Sequence, residues 1–338
     1  MKKSVTVRVP ATSANCGPGF DSLGLALTLY NEFTFTVSDE QYGFSLKVEG
    51  EGKDSFHASG RNMAFASFLS LWNKLTDHRR IGLDVQMKNQ VPKSRGLGSS
   101  STAIVAGVTA ASILSGANLT QDEILQEANK LEGHPDNVAP AIYGGFTISF
   151  QENGVAHTLR TIPKMPLQFI AVVPDMQLST HLAREAIPKV INHPDAVFNA
   201  SRTALLTAAL LEDRPELLEF ALEDKLHQPY RAKLIPGLPE VFAAGKAAGA
   251  YQCIISGSGS TLLAYASPEK DGDAIGKAMV GAFASCGQTA VYHILQLNTK
   301  GTEVLHVELY SFSRQCFGCC FCINCFLLML PLYSIKSG

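Results

Sequence analysis

The sequence predicts an α+β fold in two halves, on three observations. Its opening alternates polar and apolar side chains in short runs, the period-two signature of half-buried strands. Its middle and later parts hold longer runs with apolar residues at helical spacing. Glycine-serine turns sit where strands run on into helices or further strands.

Residues 4–9, 32–37 and 44–48 alternate as strands separated by polar turn residues, while residues 22–29 look helix-like. Residues 62–75 have helical spacing, 81–87 alternate again, and a Gly/Ser turn then leads into a helix over 102–114. The next helix, 120–131, opens on Thr120 with Glu123 three residues on, a capping box, and stops at Gly133. Gly144 and Gly145 break the chain before a strand at 146–150, and 167–173 forms another. The pattern is helical from 197 to 222 and from 238 to 248, closed there by Gly249. A strand at 253–256 meets the loop Gly257, Ser258, Gly259, Ser260 and resumes over 261–266. There is no internal repeat. A boundary near residues 155–170 divides the chain into 1–160 and 161–305, with a cysteine-rich end at 306–338.

At 338 residues, 46% hydrophobic and 17% charged, the chain can bury a full core and has none of the composition of a disordered protein. Its 28 basic and 30 acidic residues leave no long-range field for nucleic acid or an anionic membrane. The N-terminal stretch lacks the apolar run of a signal peptide, so the chain reads as cytoplasmic. A disulfide framework does not suit such a chain. Residues 315–333 hold five cysteines, three phenylalanines and no charge. They could ligate a soft metal or weakly anchor to a membrane. The abrupt change in composition favours a third reading, an end foreign to the fold on which no activity depends.

The segment Pro92, Lys93, Ser94, Arg95, Gly96, Leu97, Gly98, Ser99, Ser100, Ser101, Thr102 follows a predicted strand and opens a predicted helix. Glycines let backbone approach a polyphosphate, and the first free N–H groups of a helix point at it with the dipole behind them. Serine hydroxyls add hydrogen bonds or a Mg²⁺ ligand. The segment is neither a Walker A loop nor a dinucleotide fingerprint. Its plain alternative is a helix start capped by Ser99. The Gly257 to Ser260 loop permits positive φ and exposes N–H donors, or is simply a β-turn.

The string Pro-x-x-x-Gly-Leu-Gly-Ser-Ser at 92–100 resembles the ATP motif of the GHMP kinases, which phosphorylate small-molecule alcohols. Residues 10–21, PATSANCGPGFD, resemble that family's first motif, and 255–261, ISGSGST, its third. Three motifs in order are far more specific than one. The resemblance covers roughly residues 4–305, and it implies a βαβ-containing N-terminal domain with a left-handed crossover, against the general rule, and a ferredoxin-like C-terminal domain. Residues 13–15 and 19–21, EGHPDNVAP at 132–140 and YRAKLIPG at 230–237 are most similar to the branch that phosphorylates homoserine.

That resemblance implies transfer of the γ-phosphoryl group of ATP to the side-chain hydroxyl of L-homoserine, with Mg²⁺, giving O-phospho-L-homoserine on the route to threonine. Asn15 and Asp21 would hold the substrate ammonium, with Thr180 beside them, and Arg184 and Arg231 its carboxylate. Ser100 and Glu132 would be the Mg²⁺ ligands. Asp136 would be the base, unless positioning alone suffices. Asn137 would bond the hydroxyl, and His134 would touch substrate or orient its turn. Asn62 would lie near the adenine, its alternative being an N-cap. For either arginine the alternative is a solvated surface charge. A homodimer stays open, as do a different alcohol substrate, mevalonate or a sugar, and nucleotide binding without catalysis.

Overall fold

The computed structural model describes residues 2–40, 42–59 and 62–309. Strands β1 (Lys2–Ala14) and β2 (Leu23–Ser38) form a long antiparallel pair. Next, β3 (Gly43–Gly50), α1 (Met63–Thr76) and β4 (Gly82–Asn89) make a crossover in which the two strands are parallel. Helices α2 (Ser99–Ser115), α3 (Gln121–Glu132) and α4 (Pro135–Tyr143) lead to the hairpin β5 (Phe146–Glu152) and β6 (Val155–Thr161), which adds to β2.

The second half runs through β7 (Gln168–Pro174), α5 (Thr180–Glu185), α6 (His193–Glu212), α7 (Leu218–Ala221), α8 (Gln228–Arg231) and α9 (Leu238–Ala247). It continues with β8 (Gln252–Ile255), β9 (Leu262–Ala266), α10 (Gly272–Ser285) and β10 (Ala290–Gln296), and β11 (Glu303–Leu309) follows. Sheet order in this half is β10-β7-β9-β8, all antiparallel. With helices between its first and second and its third and fourth strands, that is the ferredoxin-like plait. The first sheet runs β11-β1-β2-β4-β3, with β5 and β6 branching from β2.

Three apolar clusters hold this together. One buries β1, β2 and β4 against α1 and α2, with Phe33, Phe35, Phe68 and Trp72 stacked in series. α2 is buried nearly all round, as its run of alanine, valine and isoleucine requires. A second cluster joins the halves, setting Leu23, Leu25 and Leu27 of β2 against Phe169, Leu206 and Tyr265. The third lies between the second sheet and α9 and α10. β2 serves both of the first two, Phe33 to Val37 facing one and Leu23 to Leu29 the other.

Several expectations change. Of residues 22–29, all from Leu23 on are extended, because Leu23, Leu25, Leu27 and Leu29 recur every second residue and all are buried. The helix expected over 197–222 begins earlier, at His193, and stops at Glu212. There Asp213 turns left-handed at φ 56°, ahead of Arg214-Pro215, where proline disfavours the helical region for the residue before it. The turn expected around His134 is the N-cap and start of α4. The break expected at 305 falls inside β11, which pairs with β1 and so belongs to the first sheet. That pairing satisfies backbone groups that β1 would otherwise leave open. The cysteine-rich stretch 315–333 lies outside the described residues, and with it the three readings of that end. Among the described residues no helix is long and apolar enough to cross a membrane.

Candidate active site

A cavity of about 770 Å³ lies between the two halves, with walls from both. The glycine loop ahead of α2 forms one wall. Gly98 is the N-cap at φ 69°, offers no side chain to the helix, and is followed by a first turn without acidic residues. The leading N–H groups of α2 at Ser99, Ser100 and Ser101 therefore face the cavity uncapped, a ready anion site. Ser99 is the first helical residue and not the cap.

The loop is shaped by close backbone packing. A Cβ on Gly96 (φ 81°) would fall 2.2 Å from the Ser256 carbonyl oxygen, and one on Gly98 would fall 2.0 Å from Thr12 Oγ1. Ser256 Oγ donates to Gly96 O at 2.7 Å, and Thr261 N–H to Arg95 O at 2.9 Å, so the later glycine loop buttresses the first. Arg95 binds Pro174 O and Asp175 across the cleft, at 3.1 and 3.4 Å, and its guanidinium ties the halves together. Lys93 sits 4.5 Å above the Phe56 ring, within the segment that leads to α1. Asn62 caps α1 through its Oδ1 and Ala64 N–H at 3.0 Å, the N-cap expected of it, and also lines the cavity.

Most of the residues singled out from sequence reach this cavity, but Pro92, Leu97, Thr102 and Gly259 do not line it. Pro92 is buried, and Leu97 is in the core between the halves. The Thr102 hydroxyl is spent inside, donating to Ser99 O and accepting from Asn31. Gly259 faces Ile235, Ile255 and Leu178.

Another part of the lining carries Asp21, Arg184 and Arg231. The loop from Asn15 to Asp21 bends through positive φ at Asn15, Cys16, Gly17 and Asp21. Asn15 fixes it by accepting from Asp21 N–H (3.0 Å) and donating to Gly257 O (2.9 Å). Its amide therefore shapes the loop as well as facing the cavity. Asp21 meets Arg184 through two hydrogen bonds, 2.7 and 3.1 Å. Thr180, one turn before Arg184 on α5, lies 3.3 Å from Ser258.

Arg231 is 2% exposed, so it is not the surface charge its residue type suggests. Its Nε donates to Ala183 O, and Nη1 to Gly257 O and His227 Nδ1. No carboxylate pairs with it among the described residues. Burial, reinforced by the Arg184 charge, pushes its pKa down to about 10, so it remains a cation at neutral pH. An anionic group brought beside it would relieve that unfavourable burial.

Glu132, His134, Asp136 and Asn137 form the remaining corner. Glu132 accepts from Ser101 Oγ at 2.9 Å, and burial raises its pKa against the opposing pull of His134. Asp136 is buried in the first turn of α4, where the helix dipole suits a carboxylate, and His134 Nδ1 bonds it. Asn137 Oδ1 accepts from Thr12 Oγ1 at 2.8 Å, which leaves its NH₂ as the group it can offer. Donor atoms of Asp21, His134 and Asp136 lie within 4.8 Å of one another. With an imidazole among them and Arg184 already on Asp21, they make a charge cluster unlike the hard-oxygen set magnesium takes.

Burial works against the His134 charge, but the bond to Asp136 and the charges of Asp136, Glu132 and Asp21 prevail and raise its pKa. The contact therefore stabilises the fold fully below the unfolded value of about 6.5, and its contribution is lost as pH rises through the higher folded value. His134→Gln should lower the urea midpoint more at pH 6 than at pH 9. Equal losses at the two pH values would sink this assignment.

Sequence reading missed Thr12, Ser256, His227 and the wall at Ser55, Phe56 and Ser59. Thr12 and Ser256 stood inside quoted motifs, and only their partners reveal their work. No pattern in residues 55–59 could have placed them at the cavity.

Family models match residues 62–145, GHMP kinases N terminal domain, and 205–285, GHMP kinases C terminal. A homoserine kinase of Desulfitobacterium hafniense is 40% identical over 308 residues, spanning 89% of this chain and 100% of its own length. One of Picosynechococcus sp. is 41% identical, spanning 89% and 99%. The crystal structure of homoserine kinase from Cytophaga hutchinsonii superposes with a TM-score of 0.81 at 29% identity, over 89% of this chain and 97% of that one. L. major mevalonate kinase, solved with R-mevalonate, shares the fold at TM-score 0.65 and 17% identity, over 88% and 96%.

Proposed function

This chain belongs to the homoserine kinases of the GHMP kinase family, and on that premise we propose that it transfers the γ-phosphoryl group of ATP to the hydroxyl of L-homoserine. The observation that carries the substrate is Arg231, a buried cation on the cavity wall with no carboxylate beside it among the described residues, in the same cavity as the uncapped start of α2. One end of the cavity suits a carboxylate and the other a polyphosphate.

The Gly96 to Ser101 backbone cradles the phosphates, and Lys93 adds charge. Asp21 takes the substrate ammonium and Arg231 the carboxylate, with Thr180 alongside. Arg184 is paired with Asp21. A zwitterion can divide that pair, ammonium to Asp21 and carboxylate to Arg184, so that no charge is left alone. Asn137 donates its NH₂ to the substrate hydroxyl oxygen, held in that orientation by Thr12. Asp136 accepts the hydroxyl proton.

Glu132 and Ser100 fit Mg²⁺. Both offer hard oxygens beside the phosphate cradle, and no Lys or Arg pairs with Glu132 among the described residues. When bound, the ion neutralises charge on the β- and γ-phosphates.

ADP release should be measured with Mg²⁺-ATP and L-homoserine, L-serine, mevalonate or galactose. Selective turnover of homoserine is expected, and turnover of mevalonate or a sugar instead would overturn the substrate. Arg231→Ala should raise the homoserine KM about a hundredfold or more, since truncating a buried charge-paired group is costly. Binding of an ATP analogue should barely change, and a matching loss of nucleotide affinity would remove Arg231 from its assigned place.

A further inference from the structure

We propose that His227, which touches neither substrate directly, is a positioning residue that sets the spacing between the ammonium-binding and carboxylate-binding ends of the homoserine pocket. The proposal rests on the functional reading above. His227 is fully buried at the N-terminus of α8, and each ring nitrogen has a different partner. Nε2 lies 2.8 Å from the Gly17 carbonyl, and Nδ1 lies 3.1 Å from Arg231 Nη1.

A carbonyl can only accept, so Nε2 carries the proton. Nδ1 then presents a lone pair to the guanidinium, and the ring is neutral. Burial, helped by the Arg231 charge, outweighs the opposing pull of the Asp224 carboxylate, 3.7 Å from Nε2, and holds it in that state by lowering its pKa. The ring is thus a donor to one half of the molecule and an acceptor from the other, and no second tautomer serves both.

What it joins gives this meaning. Gly17 belongs to the left-handed loop that carries Asp21, in the first half. Arg231 is one helical turn on from His227, in the second. The same loop is pinned to the second half at Pro18 O by Asn199 and Thr203, at 2.6 and 3.1 Å. Phe20, between Gly17 and Asp21, lies 5.4 Å from the His227 ring and 5.4 Å from the Arg231 guanidinium. Asp224 holds the backbone N–H of His227 and Gln228, which fixes where the ring starts.

With Nε donating to Ala183 O and Nη1 shared between Gly257 O and His227, the guanidinium has one orientation, and Nη2 is its free end among the described residues. Removing the imidazole frees the Gly17 carbonyl and lets the guanidinium rotate. The distance between Asp21 and Arg231, which a rigid short zwitterion must match, is then no longer set.

The test compares wild type, His227→Phe and His227→Gln. The phenylalanine keeps the ring against Phe20 and removes both hydrogen bonds, and the glutamine restores a donor and an acceptor. The readouts are KM for L-homoserine and for ATP, and the inhibition constant of 3-aminopropan-1-ol, which lacks the carboxylate. His227→Phe should raise the homoserine KM about ten- to a hundredfold, as expected for a lost hydrogen bond to a charged group. ATP KM and amino-alcohol inhibition should stay within about twofold, and His227→Gln should recover part of the loss.

Equal weakening of homoserine and the amino alcohol, or of homoserine and ATP, would reduce His227 to general support of the fold and overturn the proposal. If His227→Phe does not fold, ¹⁵N spectra of the wild-type imidazole decide. Its resonances should move on adding L-homoserine and stay put with a non-hydrolysable ATP analogue, and silence toward homoserine overturns the proposal. Absence of wild-type homoserine turnover would strike the functional reading itself, whereas normal wild-type turnover with an unperturbed variant strikes only His227.

Discussion

Gly96→Ala should lower kcat/KM by about a hundredfold or more while leaving the far-ultraviolet circular dichroism close to that of the parent. A displacement of about 1 Å in catalytic geometry is enough for a loss of that size. The new methyl carbon would meet only backbone: the Ser256 carbonyl oxygen at 2.2 Å and the Gly259 nitrogen and oxygen at 2.9 Å. No side chain can swing away to make room, and the left-handed φ of 81° strains any residue with a Cβ. The loop must therefore shift, carrying the start of α2 away from the phosphates. Titration with a fluorescent ATP analogue should show the nucleotide affinity falling too. Wild-type affinity in a well-folded Gly96→Ala protein would mean that the backbone there does not cradle phosphate.

Asp136→Asn should lower kcat by about 10²–10⁴-fold, the usual share of a general base, with both KM values nearly unchanged. The asparagine keeps the size and can still bond His134, so the measurement isolates the loss of a proton acceptor. The corner is rigid: the Asp136 carbonyl lies 2.2 Å from where a Cβ on Gly24 would be, so β2 packs directly against the turn. A drop smaller than tenfold would leave phosphoryl transfer resting on alignment and charge neutralisation, which that reaction tolerates. His134→Gln serves as the comparison, because it spares the carboxylate and removes the neighbouring imidazole.

Much of the site was legible because its parts are local in sequence. The glycine loop, the capping-box helix α3 and the turn at Glu132 to Asn137 each announce themselves within a dozen residues. The fold was legible where one period dominated, as in β4 or α9. It failed at β2, where Leu23, Leu25, Leu27 and Leu29 do alternate, but small residues between them, Gly24 and Ala26, suggested a helix just as well. Gly24 lacks a side chain where α4 presses on that half of the strand, a Cβ there falling 2.2 Å from the Asp136 carbonyl oxygen and 2.7 Å from Pro140.

What could not be read is what depends on distant partners. Thr12 orients Asn137 from 125 residues away, and His227 reaches Gly17 from 210. Neither spacing leaves a trace in sequence. The resemblance alone names Arg231; its residue type predicts a surface charge, and only the structure shows it buried.

The return of β11 to the first sheet has a consequence for synthesis. Strand β1 lies between β2 and β11, so one of its edges stays uncovered until residue 309 has left the ribosome. Until then the nascent chain exposes unpaired N–H and C=O groups along Lys3 to Arg8, a template for strand exchange with a neighbouring chain. A fragment cut at the boundary near residue 160 would keep that edge for good. The two halves are therefore a single unit of assembly, and the last of the described strands is the one that lets the first be safely exposed to the cell.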